Sequence, residues 1–169
     1  PTPIAQTAEE LDLPLAIMEN INAPQQVDEL TQLAADVMVV VDFGQIIRRQ
    51  ARQSTRLEAI NLHSSLLPLL RGAAPVNWAI IRGFARTGIT IMRMARKMDA
   101  GPVLYRVAVD LSSDITAGEL YEMLSEIGAT ALVEALAQLE AGTLTEEPQV
   151  EERATFAPKM SRHLARLDW

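Results

Sequence analysis

Apolar positions recur at helical spacing from Ile4 to Leu11, and the run Leu13 to Ile17 that follows has the character of a strand. Pro24 to Ala34 returns to the helical period. The aliphatic run Val37 to Val41 has no polar alternation, which predicts a strand buried on both faces. Ala59 to Leu62 predicts a short apolar strand, Asn77 to Arg82 a helix, and Gly88 to Met94 a strand rich in β-branched residues. Asp99 to Pro102 has turn composition, and Val103 to Val109 predicts the next strand. Thr116 or Ser113 then caps a long amphipathic helix running to about Leu139 and stopped near Gly142. Strands alternating with helices predict an α/β fold with a mainly parallel sheet and ligands beyond the carboxyl ends of its strands. The domain so defined covers residues 1–142. Residues 143–169 are polar and Pro-punctuated, predicting a linker that ends in Leu167-Asp168-Trp169.

Composition narrows the chemistry. With 49% apolar but only 4% aromatic residues, the core is aliphatic, as in α/β proteins. There is no Cys, so disulfide and thiol chemistry are excluded, in agreement with a reducing, cytoplasmic setting. No apolar run approaches the roughly 20 residues that span a bilayer, so no membrane partner is expected. A net charge of -7 opposes strong non-specific attraction to phosphate backbones. No DNA partner is expected, and any nucleic-acid role falls to local patches or to a part outside this chain. Arg48, Arg49, Arg52 and Arg56 form such a cluster, readable as a solvated helix face or as a binding patch.

In INLHSSLLPLLRGAAP, Asn61 and His63 stand two apart on a predicted strand, so both side chains leave one face and can converge on one substrate atom. Spacing alone equally fits two polar residues that end a strand and bond to nearby backbone. A metal site is not expected: zinc takes three or four ligands, and the one other His, His163, lies in the polar tail.

The ordered string N-x-H-x-S-L-L-P-x-x-R-G-A-A-P, followed by T-G-I-T-I-M and M-D-A-G-P-V, resembles the folate-dependent formyltransferase family over nearly the whole chain. The resemblance implies a Rossmann-like formyltransferase fold and formyl transfer from 10-formyltetrahydrofolate to an amine. It implies Asn61, His63 and Asp99 as the catalytic trio, and Ser65, Leu66, Leu67 and Pro68 as part of the tetrahydrofolate site. It further implies that Asp42 to Ile47, with Phe43, Gln45 and Ile47, lines the pterin pocket. Similar proteins usually carry a small residue where Asp42 stands and a Pro where Arg48 stands. Such transfer passes through an oxyanion that needs fixed donors: the Asn61 amide, and His63 if Asp99 keeps it protonated, with Asp99 also able to accept the amine proton. Arg71-Gly72-Ala73-Ala74-Pro75 and the closing ATFAPKM and LDW are similar to members acting on initiator methionyl-tRNA. A sugar-nucleotide amine as acceptor, formyltetrahydrofolate hydrolysis and a non-catalytic remnant are the alternatives. Family members begin with a strand, a Gly-containing loop and a helix that precede Pro1, and continue past Trp169 into a C-terminal domain. The first strands of the sheet and that domain are therefore expected outside this chain. Arg71 is read as a donor to backbone or a phosphate-positioning residue, and Met92, Met94 and Met98 as core or pocket filler.

Overall fold

The structure, a computed structural model, describes residues 2–165; the expected tail Leu167-Asp168-Trp169 lies outside the described residues. Three helices start on a Pro in their first turn, where a missing N–H costs nothing: α1 (Pro3–Glu10), α2 (Pro24–Gln32) and α4 (Pro75–Ile81). A single turn, α3 (Arg49–Arg52), precedes β2. The long helix α5 (Ala117–Glu140) is opened by a capping box: the Thr116 hydroxyl accepts the Glu119 N–H, and the Glu119 carboxylate accepts the Thr116 N–H. The Thr116 hydroxyl, which also donates to the Glu119 carboxylate at 2.7 Å, and then the Thr116 N–H hold that carboxyl below its ordinary pKa.

Strands β1 (Met38–Val41), β2 (Ala59–His63), β3 (Arg86–Arg93) and β4 (Val103–Asp110) form one sheet in sequence order. β1 and β2 are parallel, whereas β3 runs antiparallel to both β2 and β4. The expected mainly parallel sheet is thus corrected to a mixed one within an α/β fold. Residues 94–102 contain no helix, and a connection without a crossover returns the chain antiparallel. Two further expectations are corrected. β1 is not buried on both faces: Val40 is buried with Ile21, Ile47 and Ala51, while Val39 and Val41, on the face of Ile60 and Leu62, are exposed because α5 packs mainly over β3 and β4. Leu13 to Ile17 forms no strand. Among the described residues no strand lies beyond β1 to pair with it, and Pro14 removes one donor.

The two faces of the sheet are covered differently. On one, Ile60, Ile89 and Ile91 pack under Leu120, Leu124, Ala131 and Ala135 of α5 and Val76 of α4. The buried positions of α5 recur every three or four residues, the stripe that an amphipathic helix presents. The other face carries Asn61, His63, Thr90 and Met92 as cross-strand neighbours and is covered by loops there, while beside Val40 it is covered by α2 and α3.

Part of that cover is the segment expected as a linker, and this too is a correction. Glu147 exchanges backbone bonds with Val103, both 2.8 Å, and Arg71 and Ala157 bond through the Arg71 carbonyl at 2.7 Å. The Trp78 indole donates to the Pro158 carbonyl at 2.8 Å, and Arg82, stacked over that ring, donates to the Phe156 carbonyl. Ala157 is fully buried. The segment reads as a linker because polar and backbone bonds, not apolar periodicity, hold it.

Gly88 shows how tightly the sheet is closed. A Cβ there would lie 2.0 Å from the Val107 carbonyl oxygen and 2.8 Å from a Leu66 methyl. Gly88→Ala is therefore expected to destabilise by about 1–3 kcal/mol, measured as a lower urea midpoint with an unchanged slope.

Candidate active site

β2 sits between β1 and β3, and its last residue is His63. The alternation of the strand sends Ile60 and Leu62 into the α5 core and leaves Asn61 and His63 on the loop-covered face. Asn61 is half-buried and His63 buried. The His63 Nε2 lies 2.9 Å from the Leu70 carbonyl oxygen. A carbonyl only accepts, so Nε2 carries the proton and Nδ1 is the free ring nitrogen. Nδ1 faces the Asp99 carboxylate at 3.8 Å, beyond hydrogen-bond range.

Asp99 reaches this position because the 94–102 loop folds back over the sheet. Its backbone takes φ +50, a left-handed conformation that Asp tolerates. Its Oδ2 accepts the Gly72 N–H at 2.8 Å. Gly72 itself has φ +121, and a Cβ there would stand 2.6 Å from the Ala157 carbonyl oxygen, so the close approach of the 155–157 backbone requires Gly. Among the described residues, neither the Asn61 amide nor Asp99 Oδ1 makes a side-chain hydrogen bond, which leaves both free for a substrate.

The loop 64–70 is pinned from β3. Thr90, fully buried, donates to the Ser65 carbonyl at 2.6 Å and accepts the Leu67 N–H at 3.0 Å. Ser65, also fully buried, donates its hydroxyl to the Leu69 carbonyl at 2.6 Å. Leu67 packs with Met92 and Val103, and the Leu67–Pro68 peptide is cis. Leu66 and Pro68 remain partly accessible on the loop.

The expected pterin loop lies at the same end of the sheet, since Val41 is in register with Leu62. Its three named side chains have different surroundings. The Phe43 ring is exposed. The Gln45 amide accepts from Ile21 N–H at 3.0 Å and donates to the Met18 and Glu19 carbonyls, fixing the preceding loop. Ile47 is buried with Ile21, Val40 and Ala51. Met92 is core, Met94 packs beside that second cluster, and Met98 is exposed. The expected helix face of four arginines does not form: only Arg49 and Arg52 lie in the single turn α3, Arg52 donates to the Ile47 carbonyl, and Arg56, exposed beyond the turn, pairs with Asp36.

Arg71 departs from expectation. Its guanidinium is buried, yet its acceptors are side chains rather than backbone: Gln149 Oε1 at 3.1 and 2.8 Å, and Glu151 at 2.9 Å. Lys97 pairs with the same Glu151. Together the Lys97 bond, first, and the Arg71 bond hold the Glu151 carboxyl below its ordinary pKa. Reading by motif did not single out Thr90, Gln149 or Glu151. The signal for Thr90 was its place in T-G-I-T; Gln149 and Glu151 lie in a stretch whose polarity resembles a linker.

A mixed α/β sheet with an Asn–His pair at the end of a central strand, under an Asp from a returning loop, is the Rossmann-like formyltransferase fold. The chain matches the formyl transferase family over residues 5–136 and belongs to it. It is 41% identical over its whole length to a methionyl-tRNA formyltransferase of Enterococcus faecalis and 42% identical to one of Stutzerimonas stutzeri, and it covers 54% of each. The chain thus spans about half the length of the curated relatives it matches. Among solved structures, HypX of Aquifex aeolicus in complex with tetrahydrofolic acid matches with a TM-score of 0.75 at 23% identity, over 87% of this chain and 25% of that one. A sugar N-formyltransferase from Shewanella matches with a TM-score of 0.74 at 22% identity, over 90% and 58%. These two likenesses concern the fold.

Two outcomes follow. Thr90→Val keeps the shape but strips partners from the Leu67 N–H and the Ser65 carbonyl, and a loss of stability of about 1–3 kcal/mol is expected, read as a lower urea midpoint. Because the Glu151 carboxyl is depressed in the folded state, its contribution is present above the ordinary carboxylate range and lost as pH falls through its folded pKa. The stability gap between the parent and Glu151→Gln should therefore be full at neutral pH and close in acid, as read by urea titrations across pH.

Proposed function

We propose that the chain is the catalytic part of an enzyme that transfers a formyl group from 10-formyltetrahydrofolate to the amino group of initiator methionyl-tRNA, in the cytoplasm. The observation that carries this reading is identity of 41% and 42% along the whole chain to two methionyl-tRNA formyltransferases, against 22% for a sugar N-formyltransferase. Tetrahydrofolate fits the residues present. The loops that follow parallel neighbours β1 and β2 emerge at one end of the sheet, with the Phe43 ring exposed on one and Leu66 and Pro68 accessible on the other. A crevice between such loops is where open α/β sheets take flat ligands. The bound folate supplies the formyl group on nitrogen.

The residues of this site then take distinct roles. As the amine adds to the formyl carbon, negative charge gathers on the formyl oxygen, and the Asn61 amide donates to it without competing protein partners. His63, with Nε2 committed to the Leu70 carbonyl, adds a second donor from Nδ1 when the ring is doubly protonated. Asp99 faces that ring across 3.8 Å and, through its free Oδ1, takes the proton the amine releases; as the oxyanion collapses, the bond between the formyl carbon and the folate nitrogen breaks and that proton passes to the departing nitrogen. The Gly72 N–H holds the other carboxylate oxygen, which fixes its direction.

In the full-length chain, His63→Ala and Asp99→Asn should each lower the rate of formyl transfer to initiator methionyl-tRNA by about 100-fold or more while tetrahydrofolate affinity changes little. The check is a radiolabelled transfer assay beside a folate-binding titration. Transfer to a sugar-nucleotide amine, or release of formate alone, in place of transfer to tRNA would overturn the assignment of the acceptor.

A further inference from the structure

The Asp99 carboxylate is held by one residue, but the peptide it hangs from is held by another. Gln149 Nε2 donates to the Asp99 carbonyl at 2.8 Å and to the Gly101 carbonyl at 2.7 Å, spanning the turn. Its Oε1 accepts two bonds from the Arg71 guanidinium. A guanidinium has no acceptor and a carbonyl no donor, so the amide has one workable orientation and both of its ends are satisfied. Arg71 is in turn fixed by Glu151 and by backbone bonds to Thr155 and Ala157. Both handles on Asp99 therefore lead back to the same dipeptide: Gly72 grips the carboxylate directly, and Arg71 grips the turn through Gln149.

From this geometry we infer that Gln149 is a positioning residue for the reaction, acting through Asp99 to set the carboxylate against His63. The inference rests on the catalytic role assigned above to Asp99. Gln149 itself touches neither substrate nor the reacting atoms. Its two donors replace the solvent that a left-handed turn in an open loop would otherwise use, and they remove the freedom of residues 99–101 to swing outward. A displacement near 1 Å at a reacting group costs as much as about 100-fold in rate, which sets the scale of the effect.

The test is a double-mutant cycle in the full-length chain with Gln149→Leu, Asp99→Asn and both together. Gln149→Leu should lower kcat by about 10- to 100-fold, with little change in KM for the formyl donor. Added to Asp99→Asn it should cost almost nothing more, because the residue it positions is already disabled. Additive losses would overturn the inference, since they would mean a general loss of packing. Gln149→Glu keeps the size but loses the donors to both carbonyls, and should resemble Gln149→Leu; parent-like kcat in that variant would also overturn it. A second readout is independent of turnover and of the acceptor: the ring nitrogen NMR signals of His63. Asp99→Asn should shift them, Gln149→Leu should shift them in the same sense, and the double variant should match Asp99→Asn alone. An unmoved His63 spectrum in Gln149→Leu overturns the positioning role even if transfer to methionyl-tRNA is confirmed. Failure of that transfer with the NMR pattern intact would instead discard the assigned acceptor and leave Gln149 in its role.

Discussion

A guanidinium buried inside a protein has to be answered by acceptors on every side, and much of this structure is arranged around that demand at Arg71. The buried charge draws in Gln149 and Glu151 from a distant part of the chain, and Lys97 joins through the shared carboxylate. Removing one partner of such a group exposes the remainder to the desolvation it had avoided, so the cluster holds as a unit. The consequence is geometric as well as energetic. The 147–157 segment lies across the loop-covered face, and the three loops that frame Asn61 and His63 become mutually supporting.

That arrangement explains why two faces of one thin sheet do such different work. The α5 face is aliphatic and closed by helical periodicity, so it needs only shape and volume. The other face carries the polar residues of the proposed site, and over those residues loops cover it. Loop backbone carries unsatisfied N–H and C=O groups, and here side chains answer them one by one: Thr90 for the 65–67 turn, Gln149 for the 99–101 turn, Thr155 for Leu70. The polar residues of this face are thus the frame of the site as much as its chemistry.

Much of this was legible in the amino-acid sequence, and the reasons for the rest are specific. Helices with a Pro start or a Thr–Glu cap, and strands rich in Ile and Val, announce themselves through local spacing. The Asn61–His63 pair was visible as an alternation on one strand, but its meaning came from the longer motif, and Asp99 was tied to it by motif alone. Strand direction was not legible, because β3 and β4 have the same local pattern whichever way they run. The edge position of β1 depends on what lies beside it, which Val39 and Val41 do not encode. Leu13 to Ile17 has strand propensity without a neighbour to pair with among the described residues. The 143–157 segment was misread because attachment by hydrogen bonds to backbone leaves no period behind; only Ala157 is buried there, and a lone Ala carries no signal.

The pairing of residues 99–101 with Gln149 has a consequence for the order in which the protein comes into being. The contacts that steady the turn span about half a hundred residues, and those from Arg71 to Gln149 span 78. On a ribosome, where the chain emerges from its N-terminus, the sheet and the Asn61–His63 pair are available well before the segment that locks Asp99. The nascent protein therefore has Asn61 and His63 in place early and Asp99 only loosely held, until the segment through residue 157 has cleared the exit tunnel and docked.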